Sequence, residues 1–170
     1  YRGETYHWTK DREFLHYLQL PALRPQASFE LATDANAQDR SQLEGCGFRV
    51  CDALSVSSDI AAYRDYLRGS RAEFTVARDQ YVRPNTGWFS DRSASYLAAG
   101  RPVITQETGF SKFLPTGRGL FSFRNMEDVL AAIDAIESDY AAHCRAAREI
   151  ARECFAADKV LASLMERAGL

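Results

Sequence analysis

Short apolar runs alternate with stretches where apolar residues return every three or four positions, and this alternation predicts the fold class. Phe29–Ala32 and Phe48–Cys51 read as strands, and the intervening Ala37–Glu44 reads as a helix closed by Gly45 and Gly47. Ser58 is a candidate cap for a helix that carries Ile60, Tyr63 and Leu67 on one face and stops at Gly69. Ala72–Ala77 is the third predicted strand, and a loop runs from Arg78 to Phe89. Ser90 then opens a helix that extends through Leu97 to Gly100. Pro102–Thr105 is the fourth predicted strand, a short helical turn falls near Ser111–Leu114, and Leu120–Phe123 is the last strand.

Strands separated by helices in this rhythm predict an α/β fold, a Rossmann-like doubly wound parallel sheet with helices on both faces. The tail is helical. Asn125 is placed to cap a helix with Val129, Leu130, Ile133 and Ile136 on one stripe, and Tyr140, Cys144, Ala147, Ile150 and Ala151 continue an apolar face. Val160, Leu161, Leu164 and Met165 form another. The chain therefore reads as one domain over 1–170, with an N-terminal segment 1–28, an alternating core 29–124 and C-terminal helices 125–170. In the N-terminal segment, Phe14 to Leu20 suggest a helix ended by Pro21; Trp8 and Lys10 precede it in a loop that could face a ligand, though Trp8 reads more plainly as a core anchor and Lys10 as an exposed side chain.

Composition narrows the partners. The chain has 170 residues, 46% hydrophobic and 26% charged, which is ordinary for a globular domain of this length. A formal net charge of -2 argues against nucleic acid and polybasic membrane binding, and no apolar run approaches the ~20 residues that span a bilayer. The chain opens on Tyr1 with a polar stretch, so it is expected to be a piece of a longer protein. Cys46, Cys51, Cys144 and Cys154 form no Cys-x-x-Cys pair and lie far from His7, His16 and His143. They read as reduced structural residues in a cytoplasmic setting, and no metal site is expected. His143 reads as a surface residue. Arg145, Arg148 and Arg152 share a helix face with Glu149 and Glu153, which reads as a charge-compensated solvated surface.

Open α/β sheets bind ligands at the carboxyl ends of their strands. Two loops at such ends have unusual composition. The first, Asn85–Ser93, opens a helix whose amides and dipole form an anion site; Gly87 allows close approach, while Ser90, Ser93 and Arg92 add donors. Read plainly, Ser90 and Asp91 only cap the helix, Trp88 packs in the core and Arg92 is solvated. The second loop, Gln106–Ser111, offers Thr108, Gly109 and the amides of Phe110 and Ser111; alone it reads as a simple strand-to-helix turn. Because one short helix joins them, the two loops are expected to border one crevice. There is no Gly-x-Ser-x-Gly elbow, no Gly-x-x-x-x-Gly-Lys loop and no Gly-x-Gly-x-x-Gly after a strand, so catalytic residues remain unassigned.

From Gly87 to Gly119 the sequence resembles a glycosyltransferase. Ala98-Ala99-Gly100-Arg101-Pro102-Val103-Ile104 is similar to the helix-end and strand segment of GT-B glycosyltransferases, and Thr108-Gly109-Phe110, Gly117-Arg118-Gly119 and Val129–Ile133 follow in the usual order. The resemblance covers 29–155 and looks closest to a bacterial subgroup of glycosyltransferase-like proteins. It implies the C-terminal half of a two-domain enzyme of the hexosyltransferase type. That half binds the nucleoside diphosphate sugar, while an N-terminal domain of the same chain holds the acceptor. Asp158–Leu170 would be the helix that crosses back. Donor contacts are then expected from Arg78, Gly87, Trp88, Ser90, Asp91, Arg92, Ser93, Thr108, Gly109 and Phe110, without a cofactor, and the half alone is expected to be inactive. The retaining pattern Glu-x7-Glu falls on Gly87 and Ser95 here, and the histidine of plant-type inverting members falls on Asn85. A domain that keeps the fold and binds nucleotide without transfer is the alternative.

Overall fold

A computed structural model describes residues 3–169; Tyr1, Arg2 and Leu170, which the sequence reading included in its terminal segments, lie outside the described residues. In chain order the elements are α1 (Asp11–Leu15), α2 (Leu20–Leu23), β1 (Glu30–Ala32), α3 (Ala37–Gly45), β2 (Arg49–Cys51), α4 (Ala53–Ser57) and α5 (Ile60–Gly69). They continue as β3 (Glu73–Thr75), α6 (Asp79–Val82), α7 (Asp91–Ala98), β4 (Val103–Gln106), a 3-10 turn (Phe110–Lys112), β5 (Leu120–Phe123), α8 (Met126–Ser138), α9 (Tyr140–Cys154) and α10 (Ala157–Arg167).

The fold is mixed α/β with every strand pair parallel. Hydrogen bonding groups the strands into two sheets, β1-β2 and β3-β4-β5. In the larger sheet, Ile104 stands beside Phe74 and Phe121, and Val103 beside Glu73 and Leu120. Successive side chains alternate between faces, so this register sorts the core into two layers. Ile104, Phe121 and Phe123 pack with Val129, Ala132 and Ile136 of α8 and with Tyr17 and Leu20. Val103 and Leu120 pack with Leu97 of α7 and with Ala147, Ile150 and Ala151 of α9. Helices therefore cover both faces, as the sequence implied, and β4 is buried along its whole length.

Several local expectations are corrected. Asp59, not Ser58, caps α5: its carboxylate accepts the amides of Ala61 and Ala62 at 2.7 and 2.9 Å, and a charged acceptor at a helix start is the stronger cap. Ile60 is 88% exposed and lies outside the buried stripe that Leu67 enters. Pro21 ends no helix; it occupies the first turn of α2, where its missing N–H costs nothing. Trp8 is not a core anchor, being 67% exposed with Arg78 over its ring at 4.9 Å. Lys10 is half-buried rather than exposed. His143 is buried, with its Nδ1 accepting the Gly119 amide at 3.1 Å and its ring 5.2 Å from Phe121. The arginine face of α9 is as expected: Arg145, Arg148, Glu149, Arg152 and Glu153 are all exposed, and Arg152 meets Glu153 at 3.3 Å. All four cysteines are free, Asn125 caps α8, and α10 leaves Val160, Leu161, Leu164 and Met165 exposed.

Gly119 fixes α9 against the sheet. Its φ is +78°, and a Cβ there would stand 2.5 Å from the Ala147 backbone nitrogen. Gly119→Ala combines a left-handed backbone cost with overpacking against a helix backbone, and is expected to lose about 2–4 kcal/mol in urea unfolding. Gly45→Ala faces open space in α3 and is expected to gain about 0.5 kcal/mol. Equal stability of the two variants would refute the close-approach role of Gly119.

Candidate functional site

The two small-residue loops meet at the carboxyl rim of the larger sheet. The Gly87 amide donates to the Thr108 carbonyl at 2.6 Å, and the Thr108 hydroxyl donates to the Trp88 carbonyl at 2.5 Å. Backbone conformation makes this approach possible: Asn85, Gly87 and Gly109 have φ of 52°, 79° and 96°. A Cβ on Gly109 would stand 3.0 Å from the Asn85 carbonyl oxygen, so only glycine lets the second loop pass beneath the first.

The first turn of α7 follows directly. Ser90 is buried in the cap position, yet its hydroxyl caps no amide and lies 3.4 Å from an Asp91 carboxylate oxygen. That same oxygen accepts the Arg92 amide at 2.8 Å. Asp91 therefore covers one of the amides that the sequence reading assigned to a ligand. Ser93 is fully buried and its hydroxyl has no partner among the described residues. The Phe110 side chain packs in the core against Phe89 at 5.3 Å, which leaves only its backbone for a ligand. Trp88 stacks on Tyr81 at 4.8 Å and is half-buried.

A cluster of cations borders these loops. The Arg92 guanidinium donates to Glu73 and to the Thr75 hydroxyl, both at 2.7 Å. Glu73 and Thr75 point from β3 into the layer under α7, where a carboxylate requires such a partner. The Lys10 ammonium donates to the same Thr75 oxygen at 3.3 Å and lies 5.7 Å from the Trp88 ring centre. Burial, and then the Arg92 charge, pull the Lys10 amine down to about 8; Glu73 partly offsets this and Arg78 adds to it. Lys10, Glu73 and Thr75 were not selected by sequence reasoning. The charge in the run Ala72–Ala77 was the available signal for Glu73; Lys10 was marked only by its place in a loop that could face a ligand.

Beside the loops lies a cavity of about 320 Å³ lined by Val82, Arg83, Asn85, Gln106, Glu107, Phe123 and Arg124. Its size suits a small ligand. Gln106 ties the strand ends together, accepting the Ala77 amide at 2.9 Å and donating to Glu13 at 2.6 Å. Glu107 is buried; one oxygen accepts the Gly109 amide at 2.5 Å, and the other makes no hydrogen bond and faces Arg124 at 3.9 Å. Burial pushes the Glu107 carboxyl up, but the Ser111 hydroxyl and the Gly109 and Ser111 amides outweigh it, holding it below the ordinary glutamate range. A larger groove of about 450 Å³ lies between α7 and α9, lined by Ala98, Arg148 and Phe155 among others, and shares no residue with the rim.

A family model described as glycosyl transferase-like matches residues 24–166, most of the chain. The chain belongs to the glycosyl transferase-like family. Neither curated proteins nor solved structures gave a match. The family span contains both loops, Arg78, Glu73 and Glu107, and it excludes Lys10. No helix among the described residues is long and apolar enough to cross a membrane.

A carboxyl held low in the folded state stabilises the fold above its unfolded value, and that contribution is lost as pH falls through the ordinary glutamate range and below. Urea unfolding between pH 6 and pH 3 should therefore show wild type losing its stability advantage over Glu107→Gln as pH drops. Parallel curves would remove Glu107 from the account.

Proposed function

We propose that this domain is the donor-binding half of a glycosyltransferase of GT-B type, holding a nucleoside diphosphate sugar while an N-terminal domain presents the acceptor. The observation that carries this reading is the hydrogen-bonded junction of the 87–93 and 107–111 loops at the strand ends, beside α7 and a cation cluster. Phosphate oxygens would meet the free amides of the α7 start, the Gly109–Phe110 turn, and the side chains of Arg92 and Arg78. Aligned N–H groups and cations stabilise a departing diphosphate because they are already oriented before charge develops. The sugar would extend towards the cavity at Glu107 and Arg124, where a buried carboxylate oxygen without a hydrogen bond suits a hydroxyl donor. Four unpaired cysteines support a reducing, cytoplasmic setting.

Gly87 and Ser95, standing where retaining members carry two glutamates, favour a second reading: nucleotide binding without transfer. Turnover of nucleoside diphosphate sugars by the full-length protein separates the two.

Titration of the chain with UDP and GDP, followed by amide NMR, is expected to shift resonances within Gly87–Ser93 and Thr108–Ser111. Gly109→Ala is expected to weaken binding about tenfold, or ~1.4 kcal/mol, by forcing the loops apart. Silence at both loops with either nucleotide would defeat the proposal.

A further inference from the structure

The segment before the family-matched span crosses the rim of the sheet and is fastened there. His7 donates its amide to Asp79 at 2.9 Å, Glu4 pairs with Arg83 at 3.0 Å, and Arg83 lies over the Tyr6 ring at 4.1 Å. Through this strap Lys10 reaches the carboxyl end of β3, where its ammonium and the Arg92 guanidinium converge on one oxygen, that of Thr75. Arg78 stands next to them and carries no ion pair among the described residues; its guanidinium faces Trp8.

The charges acting on Lys10 come from β3 and α7 and from the start of α6: Glu73, Arg92 and Arg78. Glu73, the one carboxylate acting on Lys10, is already engaged by Arg92 at 2.7 Å. Like charges held together and partly desolvated repel, and an arrangement that keeps them is stabilised by an anion. The Thr75 hydroxyl and the Trp88 ring hold the Lys10 ammonium beside Arg92, but Lys10 has no ion pair of its own among the described residues. Both the surplus charge and the neighbouring α7 start point to a ligand with closely spaced negative oxygens.

We propose that Lys10, supplied by the segment outside the family span, is a phosphate-binding residue, gripping the diphosphate of a nucleoside diphosphate together with Arg78 and Arg92. This rests on the donor-binding reading and adds to it a side chain outside the span of the family model. Because the Lys10 amine titrates near 8 in the free protein, the grip is pH-dependent: full at pH 7, where the ammonium is mostly charged, and fading towards pH 9.

Inorganic pyrophosphate and UDP are the probes, with binding to the 170-residue chain measured by calorimetry at pH 7, 8 and 9. Lys10→Met relieves repulsion between cations and is expected to fold; Lys10→Arg keeps the charge throughout. Lys10→Met should bind pyrophosphate about tenfold more weakly than wild type at pH 7, and the gap should close towards pH 9. Lys10→Arg should exceed wild type at pH 9. If Lys10→Met binds within twofold of wild type at pH 7, or tracks it in parallel from pH 7 to 9, the inference is overturned. UDP bound with an affinity indifferent to Lys10 would overturn the inference and leave the donor reading standing. Failure of the wild-type chain to bind pyrophosphate, UDP or GDP would overturn the donor reading and the inference with it.

Discussion

Strand β4 is buried on both faces between β3 and β5, and what happens at its carboxyl end constrains everything around the site. A strand that deep must satisfy its polar groups where the ladder stops. Gln106 does so by accepting the Ala77 amide, which holds the exit of β3 beside that of β4. Glu107 turns the chain back on itself through the Gly109 amide. Thr108 then reaches the preceding loop through both its carbonyl and its hydroxyl. Three consecutive residues thus position the first loop, the second loop and the start of α7 relative to one another, before any ligand is considered.

Charge is arranged on the same logic. Glu73 points into the layer beneath α7, where an unpaired carboxylate would be costly, and Arg92 reaches over to meet it. That pairing fixes the Arg92 guanidinium at the end of β3, where Thr75 and Lys10 join it. The helix start is likewise less open than its sequence implies, because Asp91 accepts the Arg92 amide. The rim therefore combines several cations and a glycine-permitted backbone with the α7 start, and the proposed diphosphate site would draw on all three.

Much of the fold was legible from periodicity. The β3, β4 and β5 strands, the α7 start after Ser90 and the Asn125 cap followed from apolar spacing and cap chemistry, since these depend on residues within a few positions. The adjacency of the two loops was also legible, because a short helix between parallel strands leaves both loops on one edge. Capping of α5 was misread because Ser58 and Asp59 are both good caps, and the charge decided between them. His143 was misread because a histidine on a helix says nothing about a glycine amide 24 residues earlier that needs an acceptor. Trp8 and Lys10 were exchanged in their burial because the N-terminal strap has no period of its own; its course follows anchors at Asp79 of α6 and at Arg83 just after it.

By itself, the sequence determined which segments are strands and helices, which of their faces are apolar, and that glycines stand where loops must cross. Those properties are set by local backbone preference and side-chain spacing. Only the tertiary structure decided which cations share the rim, which hydroxyls and amides are already occupied, and that Lys10 comes within 3.3 Å of Thr75. Those outcomes depend on contacts between residues 65 positions apart, and on desolvation that exists only once the layers have closed.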